Sequence, residues 1–217
     1  MGRKEGIAIQ LGNIGTVYRI RGERDKALNY YEKALELDEE IGRKEGIAAD
    51  FGNIGSVYST KGELDKALEY CKKALELNEG LGRKEGIAIQ LRNMGDVYST
   101  KGELDKALEY YEKALKLNEG LGKKEGIAIQ LRNIGDVYYI RGELDKALEH
   151  YEKASKIYKE MGIRIGTART LTNIGDIFAI KSDKERALHY YREAKPLAKG
   201  SSVFERVIER LKRLEEE

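Results

Sequence analysis

The 217 residues carry 40 basic and 38 acidic side chains, a formal net charge of +2, with 41% hydrophobic and 36% charged residues. A balance so near zero excludes a strong electrostatic claim, and regular apolar spacing excludes a disordered chain. One cysteine and two histidines exclude an internal disulfide and leave little material for a metal cage or a general-base centre.

The chain opens with Met1-Gly2-Arg3-Lys4-Glu5-Gly6, charged where a signal peptide needs an apolar stretch. No run of about eighteen apolar residues follows. A cytoplasmic location with no membrane partner is expected. The same opening residues recur as Gly42-Arg43-Lys44-Glu45-Gly46 and Gly82-Arg83-Lys84-Glu85-Gly86, so the chain begins in mid-phrase, as a piece cut from a longer array would.

A period of forty puts Asn13-Ile14-Gly15, Asn53-Ile54-Gly55, Asn93-Met94-Gly95, Asn133-Ile134-Gly135 and Asn173-Ile174-Gly175 in register. Within a block, Ile7, Ala8, Leu11, Ile14, Gly15 and Tyr18 form the apolar stripe of one helix, here the A helix. Ala27, Leu28, Tyr31, Ala34, Leu35 and Ile41 form the stripe of a second, the B helix. Between them lies Lys61-Gly62-Glu63-Leu64-Asp65 or a near copy, whose glycine suits a left-handed C-terminal residue and whose acids suit the next helix's positive end. A second glycine, at 42, 82, 122 and 162, closes each B helix. The blocks are 1–40, 41–80, 81–120, 121–160 and 161–200, followed by 201–217.

Gly15 and its equivalents stand inside helices at a cost of about 1 kcal/mol each relative to alanine, so a steric reason is expected. Block five is the least regular: Ile163-Arg164-Ile165 replaces Arg-Lys-Glu, Lys181-Ser182-Asp183 replaces Lys-Gly-Glu, and Pro196 lies near the block's end. Gly200-Ser201-Ser202 then breaks the pattern, and Ser202 with Glu205 has the spacing of a capping box. Val203, Phe204, Val207, Ile208, Leu211 and Leu214 make one face of a final amphipathic helix suited to covering the last repeat. No such cap precedes block one, so its apolar face is expected to be partly exposed and open to end-to-end self-association.

Leu11, Ile14, Gly15 and Tyr18, then Ala27, Tyr31 and Ala34, match in order and spacing the signature of the tetratricopeptide repeat, and the chain resembles that family over residues 1–200. It departs from the common repeat in being forty residues long, rather than about 34, and in lacking the closing proline. In this it resembles the arrays of spindle-orientation adaptors and, more loosely, kinesin light chains. The resemblance implies an all-α fold, a right-handed superhelical solenoid of five helix-turn-helix hairpins plus a C-terminal capping helix. A helices are then expected to line a concave groove that holds a peptide segment of a partner protein.

The family's inward phases fall here on Asn13, Asn53, Asn93, Asn133 and Asn173, on the neighbours Gly12, Gly52, Arg92, Arg132 and Thr172, and on Thr16, Ser56, Asp96, Asp136 and Asp176. Asparagine offers a donor and an acceptor together, so a ladder of five suits the main chain of an extended peptide. Arg92, Arg132, Asp96, Asp136 and Asp176 add charge selectivity. The plainer alternative is that the asparagines bond between adjacent A helices and that Arg92 with Asp96, and Arg132 with Asp136, are simple i, i+4 pairs.

No nucleotide-binding, zinc-protease or nucleophile-elbow motif occurs, and neither an enzyme nor a cofactor is expected. Cys71 holds the phase of Tyr31, Tyr111, Tyr151 and Tyr191 and reads as a packing residue; His150 and His189 read as surface or interhelix substitutions. Tyr18, Tyr58, Tyr98 and Tyr138 fall on the apolar stripe, which favours core packing over base stacking. The rival readings are a self-assembling spacer, an RNA-binding array, which the charge balance disfavours, and an excised or idealised scaffold with no ligand of its own.

Overall fold

In the computed structural model, which describes residues 2–216, the described residues form eleven α-helices and no strand. The A helices are α1 (Gly2–Ile20), α3 (Lys44–Lys61), α5 (Lys84–Thr100), α7 (Lys124–Ile140) and α9 (Arg164–Ile180). The B helices are α2 (Arg24–Glu40), α4 (Leu64–Gly80), α6 (Leu104–Gly120), α8 (Leu144–Glu160) and α10 (Lys184–Ala198), and α11 (Ser202–Glu216) follows. Met1 and Glu217 lie outside the described residues. The chain is an all-α helical repeat array.

By packing it divides into two units, Met1–Leu117 and Asn118–Glu217. In the first, α1 packs on α2, α2 on α3, α3 on α4 and α4 on α5, with α1 also against α3 and α3 against α5. In the second, α7 packs on α8, α8 on α9, α9 on α10, and α11 on α10 with a lighter contact to α9.

Glycine makes both kinds of turn. Gly22, Gly62, Gly102 and Gly142 end the A helices at φ of 75–80°, and Gly42, Gly82, Gly122 and Gly162 follow the B helices at 64–69°. This is the left-handed region, where a Cβ is strained. Ser182, which holds the fifth A–B turn, is forced to φ 58° and is the one non-glycine described there. The acids after the turn act less directly than their placement suggests. Glu23, Glu63 and Glu143 occupy N-cap positions without a side-chain cap bond, and instead take Lys26, Lys66 and Lys146 at 2.6 Å. Asp183 alone among these caps its helix, accepting from the Arg186 backbone N–H at 3.0 Å.

The interior glycines have a definite partner. A Cβ on Gly15, Gly95, Gly135 or Gly175 would lie 2.5–2.8 Å from the ring of Tyr31, Tyr111, Tyr151 or Tyr191, each on the B helix of the same hairpin. The tyrosine ring thus packs directly against the bare backbone of the A helix. In block two, where the partner is the smaller Cys71, the nearest contact of a Cβ on Gly55 relaxes to 3.1 Å. Cys71 is buried, and burial pushes its thiol up to about 12, so it is chemically quiet.

The other tyrosine row packs against the core, as its place on the apolar stripe predicts, but at the core's edge. Tyr18, Tyr58, Tyr98 and Tyr138 are half-buried, because each stacks on the partner helix near the hairpin's outer edge. Tyr18 stacks on Tyr30 at 5.3 Å, Tyr58 on Tyr70 at 5.5 Å and Tyr98 on Tyr110 at 5.2 Å between ring centroids. His150 fills the same place against Tyr138 at 5.3 Å. Lysines 26, 66, 106 and 146 cover the outer ring faces at 5.1–5.2 Å.

The last helix starts one residue earlier in register than a Ser202–Glu205 capping box requires. Ser201 is its N-cap, its Oγ accepting from the Val203 N–H at 3.3 Å while donating to the Ala198 carbonyl at 2.6 Å. Val203, Val207 and Leu211 are buried in one core with Tyr191, Ala194 and Ala198 of α10. At the other end Ile14 is 39% exposed and Val17 47%, whereas Ile54, Met94, Ile134 and Ile174 are at most 2% exposed. Ile54, Met94 and Ile174 share a core with B-helix residues of the preceding hairpin; among the described residues nothing covers the equivalent positions in α1.

Candidate functional site

On each A helix, residues spaced 4, 3 and 4 apart share one face. In α1 these are Ile9, Asn13, Thr16 and Ile20; in α5, Ile89, Asn93, Asp96 and Thr100; in α7, Ile129, Asn133, Asp136 and Ile140. B helices pack on other faces, so this stripe stays accessible enough to leave Ile9, Ile20, Ile89 and Ile140 as exposed isoleucines. The polar rows were legible in the sequence; the apolar rows flanking them at the phases of Ile9 and Ile20 were not singled out.

The asparagine row is constant in sequence but graded in structure. Asn13 is exposed, Asn53 and Asn93 are half-buried, and Asn133 and Asn173 are each 7% exposed. A uniformly open ladder of five is therefore corrected to three reachable carboxamides and two enclosed ones. Local bonds explain the loss. The Asn93 Oδ1 accepts from Arg92 at 2.9 Å, and its Nδ2 donates to Gln90 at 3.3 Å. The Asn133 Oδ1 accepts from Arg132 at 2.8 Å. Asn173 donates to Asp136 Oδ1 of the neighbouring A helix at 3.0 Å and accepts from Arg206 of α11 at 3.1 Å. The bond between adjacent A helices, weighed as the plainer alternative, is thus realised at Asn173.

The aspartate row is held from below. Tyr111, Tyr151 and Tyr191 donate their hydroxyls to Asp96, Asp136 and Asp176 at 2.7, 2.6 and 2.7 Å. Block one makes the neutral version, Thr16 to Tyr31 at 3.0 Å. Block two has Ser56 and Cys71 at these phases, too short a pair for the same bridge. The signal was present in the chain as paired change fifteen residues apart: Asp with Tyr, Thr with Tyr, Ser with Cys. Burial, then the adjacent aspartate, push the Tyr151 and Tyr191 hydroxyls up, so both stay protonated donors.

Cations complete the row differently in different blocks. Arg92 lies 4.0 Å from Asp96, at the limit of an ion pair, and Arg132 lies 3.3 Å from Asp136. Block five has Thr172 at that phase, buried and bonded back to the Ala168 carbonyl at 2.7 Å. The missing charge comes from α11: Arg210 donates to Asp176 at 3.0 Å, and Arg206 pairs with the same carboxylate. The capping helix, expected to seal an apolar end, also places two arginines on a predicted binding aspartate. Asp176 is consequently 7% exposed.

Between α7, α9 and α11 lies a cavity of about 250 Å³ bounded by Arg132, Asp136, Tyr139, Arg169, Asn173 and Arg206. Burial raises the Asp136 carboxyl above its ordinary value against the pull of Arg132. Burial, then the like charge of Arg132, lower Arg169 from the arginine range.

The model of the tetratricopeptide repeat matches residues 6–80, 46–120, 86–160 and 126–200, a continuous overlapping run. The chain belongs to the tetratricopeptide repeat family. Solved structures agree on the fold. BtubC (BKLC) from P. vanneervenii is similar at 21% identity and a TM-score of 0.77, over 90% of this chain and 81% of that one. A Rap protein complexed with Competence and Sporulation Factor is 17% identical with a TM-score of 0.77, over 94% of this chain and 56% of its own. Nearly identical repeats of a putative kinesin light chain from Podospora anserina align at 13% identity and a TM-score of 0.70, over 91% and 97% of the two chains. No curated protein sequence matches. Tetratricopeptide arrays are in general non-catalytic interaction scaffolds, and no described helix is long and apolar enough to cross a membrane.

Proposed function

We propose that the exposed stripe of the A helices holds a peptide segment of a partner protein. The observation that carries this reading is the juxtaposition of exposed isoleucines with reachable asparagine carboxamides on one face, Ile9 and Ile20 beside Asn13, and Ile89 beside Asn93. Isoleucine supplies apolar contact for ligand side chains, and asparagine bonds a main chain whatever its sequence. The tyrosine bridges beneath the aspartates fix that row before any ligand arrives, so little receptor entropy is lost on binding. The related Rap protein was solved complexed with a factor, which supports reading arrays of this fold as partner-binding.

Selection from a random peptide library tests this, run in parallel on the wild-type chain and on Asn13→Ala/Asn53→Ala/Asn93→Ala with helicity verified equal. Peptides retained by the wild type and lost by the variant are the expected result. Equal enrichment by both proteins, or none by either, overturns the reading. These three asparagines are chosen because Asn133 and Asn173 are enclosed, and replacing them would disturb packing as well as recognition.

A second reading is favoured by one observation, the exposure of Ile14 and Val17 on α1. Self-association through that face predicts a mass in solution that rises with concentration and returns to the monomer in Ile14→Asp. A monomer at every concentration contradicts it.

A further inference from the structure

The row that begins with Ile9 continues as Ala49, Ile89 and Ile129, and then changes class at Arg169. That substitution puts a third guanidinium beside Arg132 and Arg206 on the wall of the 250 Å³ cavity, whose lining carboxylates among the described residues are Asp136 and Asp176. Asp136 is paired by Arg132, and Asp176 by Arg206 and by Arg210 from beyond the cavity wall. Arg169 makes no ion pair or hydrogen bond among the described residues; burial, then the like charge of Arg132, oppose its charge, with Asp136 as the counterweight. Arg169 is therefore a cation in excess of the paired groups around the cavity.

We propose that this cavity is a carboxylate subsite that takes the side chain of a glutamate or aspartate on the bound peptide, with Arg169 as its principal cation. The proposal rests on the reading of the A-helix stripe as a peptide site and names one anchor of it. Charge selects an anion, since Asp136 and Asp176 already have guanidinium partners and Arg169 has none. Size agrees, since about 250 Å³ is below the usual range of small-molecule pockets and suits one side chain. Tyr139 and Ile140 form an apolar wall for the methylenes of glutamate. The planar guanidinium of Arg169 offers the paired donors that a carboxylate accepts.

Two measurements separate this subsite from the stripe as a whole. In the first, the arginine Nε–Hε resonances are followed by NMR as N-acetylglutamate amide is added, with N-acetylglutamine amide as the neutral control. A saturable shift at Arg169 with the acid, absent with the neutral amide and absent from the cavity arginines of Arg169→Gln, is expected. Equal shifts with both probes, or none, overturn the subsite. In the second, library peptides with amidated C-termini that bind the wild type are remade with each glutamate changed to glutamine. One such change should weaken wild-type binding about tenfold or more, the scale of a charged hydrogen bond, and leave Arg169→Gln within about twofold. Peptides that bind equally well after every such change overturn the subsite and leave the stripe reading intact. Binding of the acid probe with no peptide enriched supports a carboxylate subsite and overturns the stripe reading instead. Rescue of the glutamine peptides by a free C-terminus would assign the cavity to a chain end and overturn the side-chain assignment.

Discussion

Gly95 shows how one missing side chain serves a functional row. With no Cβ it lets the Tyr111 ring lie where a methyl group would come within 2.6 Å, and the ring's hydroxyl then reaches Asp96 at 2.7 Å. Gly95→Leu should therefore cost about 2 kcal/mol or more through overpacking, seen as a lowered midpoint in denaturant; an unchanged midpoint would remove this account of the glycine row. Asp50 is the opposite case, a residue at odds with its place. It occupies the phase of Gln10, Gln90 and Gln130, is 5% exposed, and has an oxygen without a hydrogen-bond partner. Burial first, then the Asp38 carboxylate, push it up to about 7, with the Asp38-paired Arg43 opposing. A raised folded pKa means that its contribution is fully present below about pH 4 and is lost as pH rises toward 7. Asp50→Gln should abolish that loss and leave the variant more stable at pH 8 by on the order of 2 kcal/mol, measured by unfolding at pH 5 and pH 8. The glycine row was legible as a steric demand; the tyrosine-to-aspartate bridge above it was not, because residues fifteen apart meet only once the hairpin has closed.

At the scale of elements, the helices and both glycine turns were legible because period and punctuation agreed in every block. The details that escaped lie where block five breaks the pattern. Ser182 holds at φ 58° a turn that glycine makes elsewhere, and Ser182→Gly should raise stability by roughly 0.5–1 kcal/mol in equilibrium unfolding, with no change marking the strain as illusory. The amphipathic character of α11 was plain in the sequence, yet the contact of Arg206 and Arg210 with Asp176 was not. Which polar residues of a docked helix touch its neighbour depends on the docking angle, which a single helix does not encode. Thr172 carried the missing hint, since it withdraws the arginine that Asp96 and Asp136 have four residues away. Arg206→Ala/Arg210→Ala should strand the Asp176 carboxylate and cost about 1–3 kcal/mol, and Asp176→Asn in the same background should recover part of it. A double variant as stable as the wild type would mean that α11 is held by its apolar face alone.

For the molecule as a whole, family and helical architecture were readable from the repeat, whereas accessibility along the asparagine row was not. Five identical letters became exposed Asn13, half-buried Asn53 and Asn93, and enclosed Asn133 and Asn173, because arginines, α11 and the next A helix differ from block to block. The proposed ligand surface is the stripe that Asn13, Asn53 and Asn93 share with the exposed isoleucines. Side-chain amide NMR during titration with a library-selected peptide tests that claim most directly. The carboxamide resonances of Asn53 and Asn93 should shift and saturate together, while Asn29, exposed on the B helix α2, should stay in place. Shifts at Asn29 with Asn53 and Asn93 unmoved would put the binding surface on the B helices and contradict the account.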